Sequence, residues 1–214
     1  MKLAGLTESI FKPRVLPQIQ WPISRSLIFP PGANFINHKT LKDPANVNHC
    51  IKYSLSIGDN ASRPQRAKTL LLEQMIHEPA FDQLRTKENL GYVVFNGYSR
   101  AITTIAYTFT IQSEKTPQYL EERIDSFLAG YSEILKNMSG FEFERHKGSL
   151  ITQRLEALEN LDQESDRLWS HIGSEEFDLN LVSYVPSYMR LSYVLIVQKS
   201  IMMPPMSKHS PKKI

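Results

Sequence analysis

One cysteine, Cys50, in 214 residues excludes an internal disulfide and any metal site built on cysteine ligands. No apolar run approaches the ~20 residues needed to span a bilayer. The first residues, MKLAGLTESIFKPR, lack the apolar core of a secretory signal, so a soluble, cytoplasmic protein without membrane partners is expected. Charge of one sign is also scarce. The formal net charge is +3, and part of that excess sits in the terminal KHSPKKI with its three lysines, which gives a nucleic-acid partner little support. What remains is ordinary for a globular chain: 41% hydrophobic and 22% charged residues, enough for one substantial core or two small ones.

Order along the chain follows from periodicity. Residues 12–46 hold six prolines around the short run Leu27-Ile28-Phe29, which predicts an extended lead-in with one short strand. From 47 to 57, Val47, His49, Ile51, Tyr53, Leu55 and Ile57 alternate with Asn48, Cys50, Lys52, Ser54 and Ser56, the pattern of a half-buried strand. Gly58-Asp59-Asn60 then turns into a helix, where Ser62 and Gln65 have capping-box spacing, Ala67, Leu71 and Met75 recur four apart, and Pro79 is expected to end it. YVVFNG after Gly91 and the alternating Thr103–Ile111 predict an antiparallel hairpin. Thr116-Pro117 opens a helix with Leu120, Ile124, Phe127, Leu128, Tyr131, Ile134 and Leu135 on one face. Ser139 and Glu142 cap another, expected to run through Leu150, Ile151, Leu155 and Leu158, and a third spans about Asp162 to Ile172. Strands with helices over one face make an α+β fold, an antiparallel-rich sheet covered on one side.

The most informative stretch is FDQLRTKENLGYVVFNG, residues 81–97, a helix-to-strand junction. Leu84, Leu90, Val93, Val94 and Phe95 can anchor it in a core, Gly91 sets the turn, and Arg85, Lys87, Glu88 and Tyr92 are left facing outward or into a cleft. LRTKENLGYVVF and FTIQSEK resemble the insulin-degrading enzyme (insulysin and pitrilysin) family of inverted-zincin metallopeptidases, specifically the last of its four homologous domains. The resemblance covers residues 10–179 and implies a metallopeptidase-like α/β roll. Residues 1–46 would be linker and first strand, 47–179 the insulysin-like C-terminal domain, and 180–214 a divergent tail in which Tyr193–Val197 could serve as an edge strand, leaving the roll incomplete at its C-terminus.

Those peptidases hold zinc through His-x-x-Glu-His on a helix, two ligands and a base on one face. None of the six histidines, His38, His49, His77, His146, His171 and His209, stands four from another, and the nearest decoy, His77-Glu78, lacks the second ligand. No catalytic or metal-binding residue is therefore assigned, and zinc is expected in a separate catalytic half.

By family match, Arg85 and Tyr92 would bind substrate, holding the peptide carbonyl beside the scissile bond. An arginine presents fixed donors and a phenol can donate to a developing oxyanion. The plainer alternative has Arg85 capping local carbonyls and Tyr92 packing at a strand start. Lys87 and Glu88 read as a solvated turn, His49 as a core histidine, and Trp169, Tyr131 and Phe127 as core. Glu121, Glu122 and Asp125, and likewise Glu156, Glu159, Asp162 and Glu164, read as solvated helix faces. Function then divides between a non-catalytic, substrate-binding domain or fragment of an insulysin-like zinc endopeptidase, partnered by an N-terminal catalytic half and peptide substrates, and a stand-alone interaction or regulatory module pairing with related domains, with homo-oligomers an option for either. A third reading is a truncated product with an altered tail and no function.

Overall fold

The computed structural model describes residues 2–14, 16–20, 30, 32–43, 45–101 and 103–173. The strand expected at Leu27-Ile28-Phe29 and the one at Tyr193–Val197 lie outside them. Helix α1, Lys2–Phe11, was not anticipated; Leu3, Leu6, Ile10 and Phe11 on it are all exposed. The domain proper is β1 (His49–Asp59), α2 (Arg63–Phe81), β2 (Val93–Arg100), β3 (Thr104–Ser113), α3 (Pro117–Asn137), α4 (Gly140–Leu155) and α5 (Leu161–Gly173). None of the described helices is long and apolar enough to cross a membrane.

Among the described residues the three strands form one antiparallel sheet in the order β1-β3-β2, so β3 is central. Its period-2 pattern sends Ile105, Tyr107, Phe109 and Ile111 to one side, where each is essentially inaccessible. Their partners on that face are Ile51, Tyr53 and Leu55 from β1 and Val94, Asn96 and Tyr98 from β2. Helices α2 and α3 cover this face and leave Cys50, Lys52, Ser54 and Ser56 on the opposite one exposed. Phe109 is the hub, with ring centroids 5.3 Å from Tyr107, 6.3 Å from Tyr53 and 6.2 Å from Phe127, which itself stacks on Tyr131. The α+β sandwich expected from the pattern is the fold observed.

Capping chemistry at α3 and α4 follows the sequence. Thr116 accepts from the Tyr119 N–H, and Ser139 and Glu142 exchange both bonds of a capping box. At α2 the expected box does not form. Pro64 removes one of the two N–H groups the Ser62 hydroxyl would accept from, and the Ser62 N–H is given to the Asp59 carbonyl. Gln65 instead reaches back to accept from the Asp59 N–H at 2.7 Å. Gly58 makes that reach possible, because a Cβ there would stand 2.0 Å from the Gln65 oxygen.

Nor does α2 end before Pro79: it continues to Phe81. A proline inside a helix strips the carbonyl four residues earlier of its partner. That carbonyl is Met75, and the Tyr131 hydroxyl of α3 donates to it at 2.6 Å in the buried interior. Burial pushes the phenol up to about 12, so it remains a donor at neutral pH. Tyr131→Phe is expected to cost about 1–3 kcal/mol by orphaning the carbonyl. In a Pro79→Ala background, which restores a backbone donor, the same substitution should cost less. Equal costs in both backgrounds, measured by urea unfolding, would refute the substitution of hydroxyl for amide.

Several apolar positions depart from expectation, among them Phe95 of β2, which is exposed rather than anchored in the core. Ile134 (58% exposed) and Trp169 (71%) face solvent, because no described element packs over that side of α3 or α5. Helix α4 stops at Leu155 rather than passing Leu158; both leucines are exposed, so apolar spacing without a partner surface did not extend the helix. On α5 the buried side chain is His171.

Candidate functional site

The helix-to-strand junction is built by a widened turn. After α2 the chain continues as a π-helical turn, Asp82–Lys87, closed by the Glu88 N–H to the Gln83 carbonyl at 3.0 Å and the Leu90 N–H to the Leu84 carbonyl at 3.1 Å. Such widened turns recur at functional sites. Leu84 and Leu90 plug the junction into the core at 0% and 1% exposure, and the Ser113 hydroxyl of β3 donates to the Leu90 carbonyl. Asn89, at φ 46°, makes the reversal expected of Gly91. Gly91 serves a different need: a Cβ would fall 2.0 Å from the Gln112 carbonyl, so the chain can lie against β3 there only without a side chain.

These anchors leave two side chains outward. Arg85, on the π-helical turn, is half-buried and donates from Nη1 to Asn89 Oδ1 at 3.2 Å. One of its five donors is so committed. Tyr92 immediately precedes β2, is 89% exposed, and takes part in no hydrogen bond among the described residues. The structure thus sets Arg85 and Tyr92 at the two ends of one short loop, without bonding them to each other. The packing role considered for Tyr92 is not what it does, and Arg85 caps a side chain rather than a carbonyl. Lys87 is solvated as expected, paired with Asp82 across the exposed turn.

Glu88 is not solvated. Arg123 of α3 donates to it twice, Nε to Oε2 at 2.6 Å and Nη2 to Oε1 at 2.8 Å, and Gln83 Nε2 adds a third bond at 2.7 Å. The Arg123 bonds hold the Glu88 carboxyl below the usual carboxylate range, against the opposing effect of burial. Asp125, also assigned to a solvated face, is half-buried and accepts from the Tyr53 hydroxyl at 2.8 Å, tying α3 to β1. Burial, reinforced by Asp125, raises the Tyr53 phenol well above its ordinary value. His49 shares the inward side of β1 by parity but is exposed, because it is the terminal residue of the strand and nothing covers that end. Sequence reasoning passed over Asn89, Gln83 and Arg123. The signal for Arg123 was its place three residues after Leu120 and four before Phe127, on the flank of the buried stripe of α3.

Among the described residues no group of three or more His, Cys, Asp or Glu side chains is placed to hold a metal ion. His77 and Glu78 lie exposed on α2, and Phe81 stands where a second histidine ligand would fall one turn on. This donor set does not fit zinc.

The fold is similar to part of pitrilysin, whose crystal structure superposes on 73% of this chain, and 17% of its own, with a TM-score of 0.60 at 22% identity. A family model described as PQQ synthase PqqF-like, C-terminal lobe domain 4, matches residues 71–169. The A-factor-processing enzyme of Saccharomyces cerevisiae is 41% identical over 143 residues, 67% of this chain. Human insulin-degrading enzyme is 37% identical over 117 residues, 55% of this chain. The chain aligns with the C-terminal domain of the insulysin and pitrilysin family of zinc proteases. It spans only 14% and 12% of the length of those two relatives.

Proposed function

We propose that the chain is the non-catalytic, substrate-binding domain of an insulysin-like zinc metalloendopeptidase, acting with a catalytic half that carries the zinc motif. In this reading Arg85 and Tyr92 receive the carbonyl of a peptide held beside the scissile bond. The observation that carries it is Tyr92. A large aromatic side chain stands 89% exposed at the edge of a tightly anchored junction, its hydroxyl without a hydrogen bond among the described residues, inside the segment 71–169 that the family model matches. Core packing does not account for such a residue, whereas donation to a substrate oxygen does.

The chain's own chemistry in that role is binding and orientation. Arg85 supplies a permanent positive charge, with Asn89 restricting its swing. Tyr92 supplies a neutral donor that can follow an oxygen as negative charge develops on it. Hydrolysis itself is assigned to the partner half, since the donor set here does not fit zinc. Turnover of the Tyr92→Phe and Arg85→Ala variants, each assembled with a zinc-bearing catalytic half, tests this assignment: a large fall in kcat supports it, and near wild-type kcat in both overturns it. A stand-alone interaction module would bind its partners unchanged by either substitution and confer no turnover.

A further inference from the structure

Arg85 and Tyr92 sit on a loop, and two donors on a loop meet a substrate oxygen with useful precision only when the loop is held. Its ends are fixed by Leu84 and by Leu90 with Gly91 against β3. Between them stands Glu88, whose side chain is only 14% exposed although it sits in a polar turn. A carboxylate is drawn out of water at a cost unless its charge and lone pairs are met. Here they are met by a bidentate guanidinium fork from Arg123, 35 residues away on a different helix, and by Gln83 from the turn itself. Lys115, just before the Thr116 cap of α3, adds further positive charge nearby. The neighbouring Lys87–Asp82 pair is the contrast: both side chains are more than half exposed, and both belong to the same turn.

We propose that Glu88 and Arg123 are positioning residues, an ion pair that locks the 85–92 loop to α3 and so fixes where Arg85 and Tyr92 meet a bound peptide. The proposal rests on the reading of those two residues as substrate ligands. The fork matters as well as the charge: two parallel bonds fix the orientation of the carboxylate, which a lysine ammonium would not. Arg123 lies beside Leu120 and Ile124, both fully buried, so its backbone is set by the core rather than by solvent.

Hydrogen exchange on the full chain reads the lock directly. Arg123→Met, which keeps the aliphatic stem, is expected to raise exchange at the amides of residues 84–92 by about tenfold or more, without change at 105–111 of β3. Arg123→Lys should fall between, and the charge swap of Glu88→Arg with Arg123→Glu should recover part of the protection. Unchanged exchange at 84–92, or an equal rise throughout the sheet, overturns the proposal. In the assembled peptidase, with a synthetic fluorogenic peptide as probe, Arg123→Met should lower kcat by about 10- to 10²-fold while KM moves less, as misplacement of a donor predicts. If Tyr92→Phe and Arg85→Ala abolish turnover while Arg123→Met preserves it, the lock fails and the substrate reading stands. If none of the three alters turnover, the substrate reading fails, and the positioning role with it, even where exchange shows a tethered loop.

Discussion

Tyr92→Phe, introduced into the chain and assembled with a zinc-bearing catalytic half, is expected to lower kcat by roughly 10²–10³, the range for loss of one oxyanion donor. The substitution removes a single hydroxyl. Because the ring is 89% exposed, deleting its oxygen leaves the core untouched, and the unfolding midpoint should not move. Zinc content should be unchanged, since the residue belongs to no metal-binding group. Arg85→Ala should give a loss of similar size with weaker substrate binding in addition, because it removes a fixed charge as well as donors. Stopped-time assays with one peptide over a range of concentrations separate the two effects. Near wild-type kcat in both variants, with circular dichroism intact, would make the pair ornamental.

The largest effect on stability is expected at Phe109. It is fully buried at the centre of β3 and in ring contact with Tyr53, Tyr107 and Phe127, so Phe109→Ala removes packing from two strands and from α3 at once. Truncations of this kind cost about 3–5 kcal/mol. Domains are stable by only about 5–15 kcal/mol, so the variant should be marginal. The consequence reaches the site, because β3 carries the Ser113 hydroxyl that holds the Leu90 carbonyl and the Gln112 carbonyl against which Gly91 lies. Urea unfolding should show the midpoint falling steeply; a change below about 1 kcal/mol would mean that the sheet has a different centre.

Local patterns carried the three described strands and most helix starts. The alternation in β1 and β3 reports burial of one face residue by residue, and Thr116-Pro117 and Ser139–Glu142 are bonds between neighbours in the chain. What the sequence hid was every feature decided by a distant partner. Pro79 reads as a stop signal until Tyr131 is seen supplying the Met75 carbonyl. Glu88 reads as solvated until Arg123 arrives from α3. Ile134 and Trp169 have core spacing, yet spacing cannot say whether another element will cover them.

The junction divides along the same line. Arg85 and Tyr92 were legible because the motif around them is contiguous; of its expected anchors Leu84, Leu90 and Val94 are buried, Val93 is half-buried, and Phe95, on the opposite side of β2, is 68% exposed. The turn itself was assigned to the wrong residue. A glycine suggests freedom of φ, but Gly91 is there for the approach of the Gln112 carbonyl, and the left-handed residue is Asn89, a side chain that tolerates that conformation.

The most direct measurement places a photoreactive p-benzoylphenylalanine at position 92 of this chain, in the assembled peptidase, and irradiates it with a labelled peptide of known cleavage site. If Tyr92 meets the substrate beside the scissile bond, the label attaches to this chain, and mass spectrometry finds the cross-link within one or two residues of that bond. Label confined to the catalytic half, or a cross-link scattered along the peptide, would contradict the claim that this junction holds the substrate.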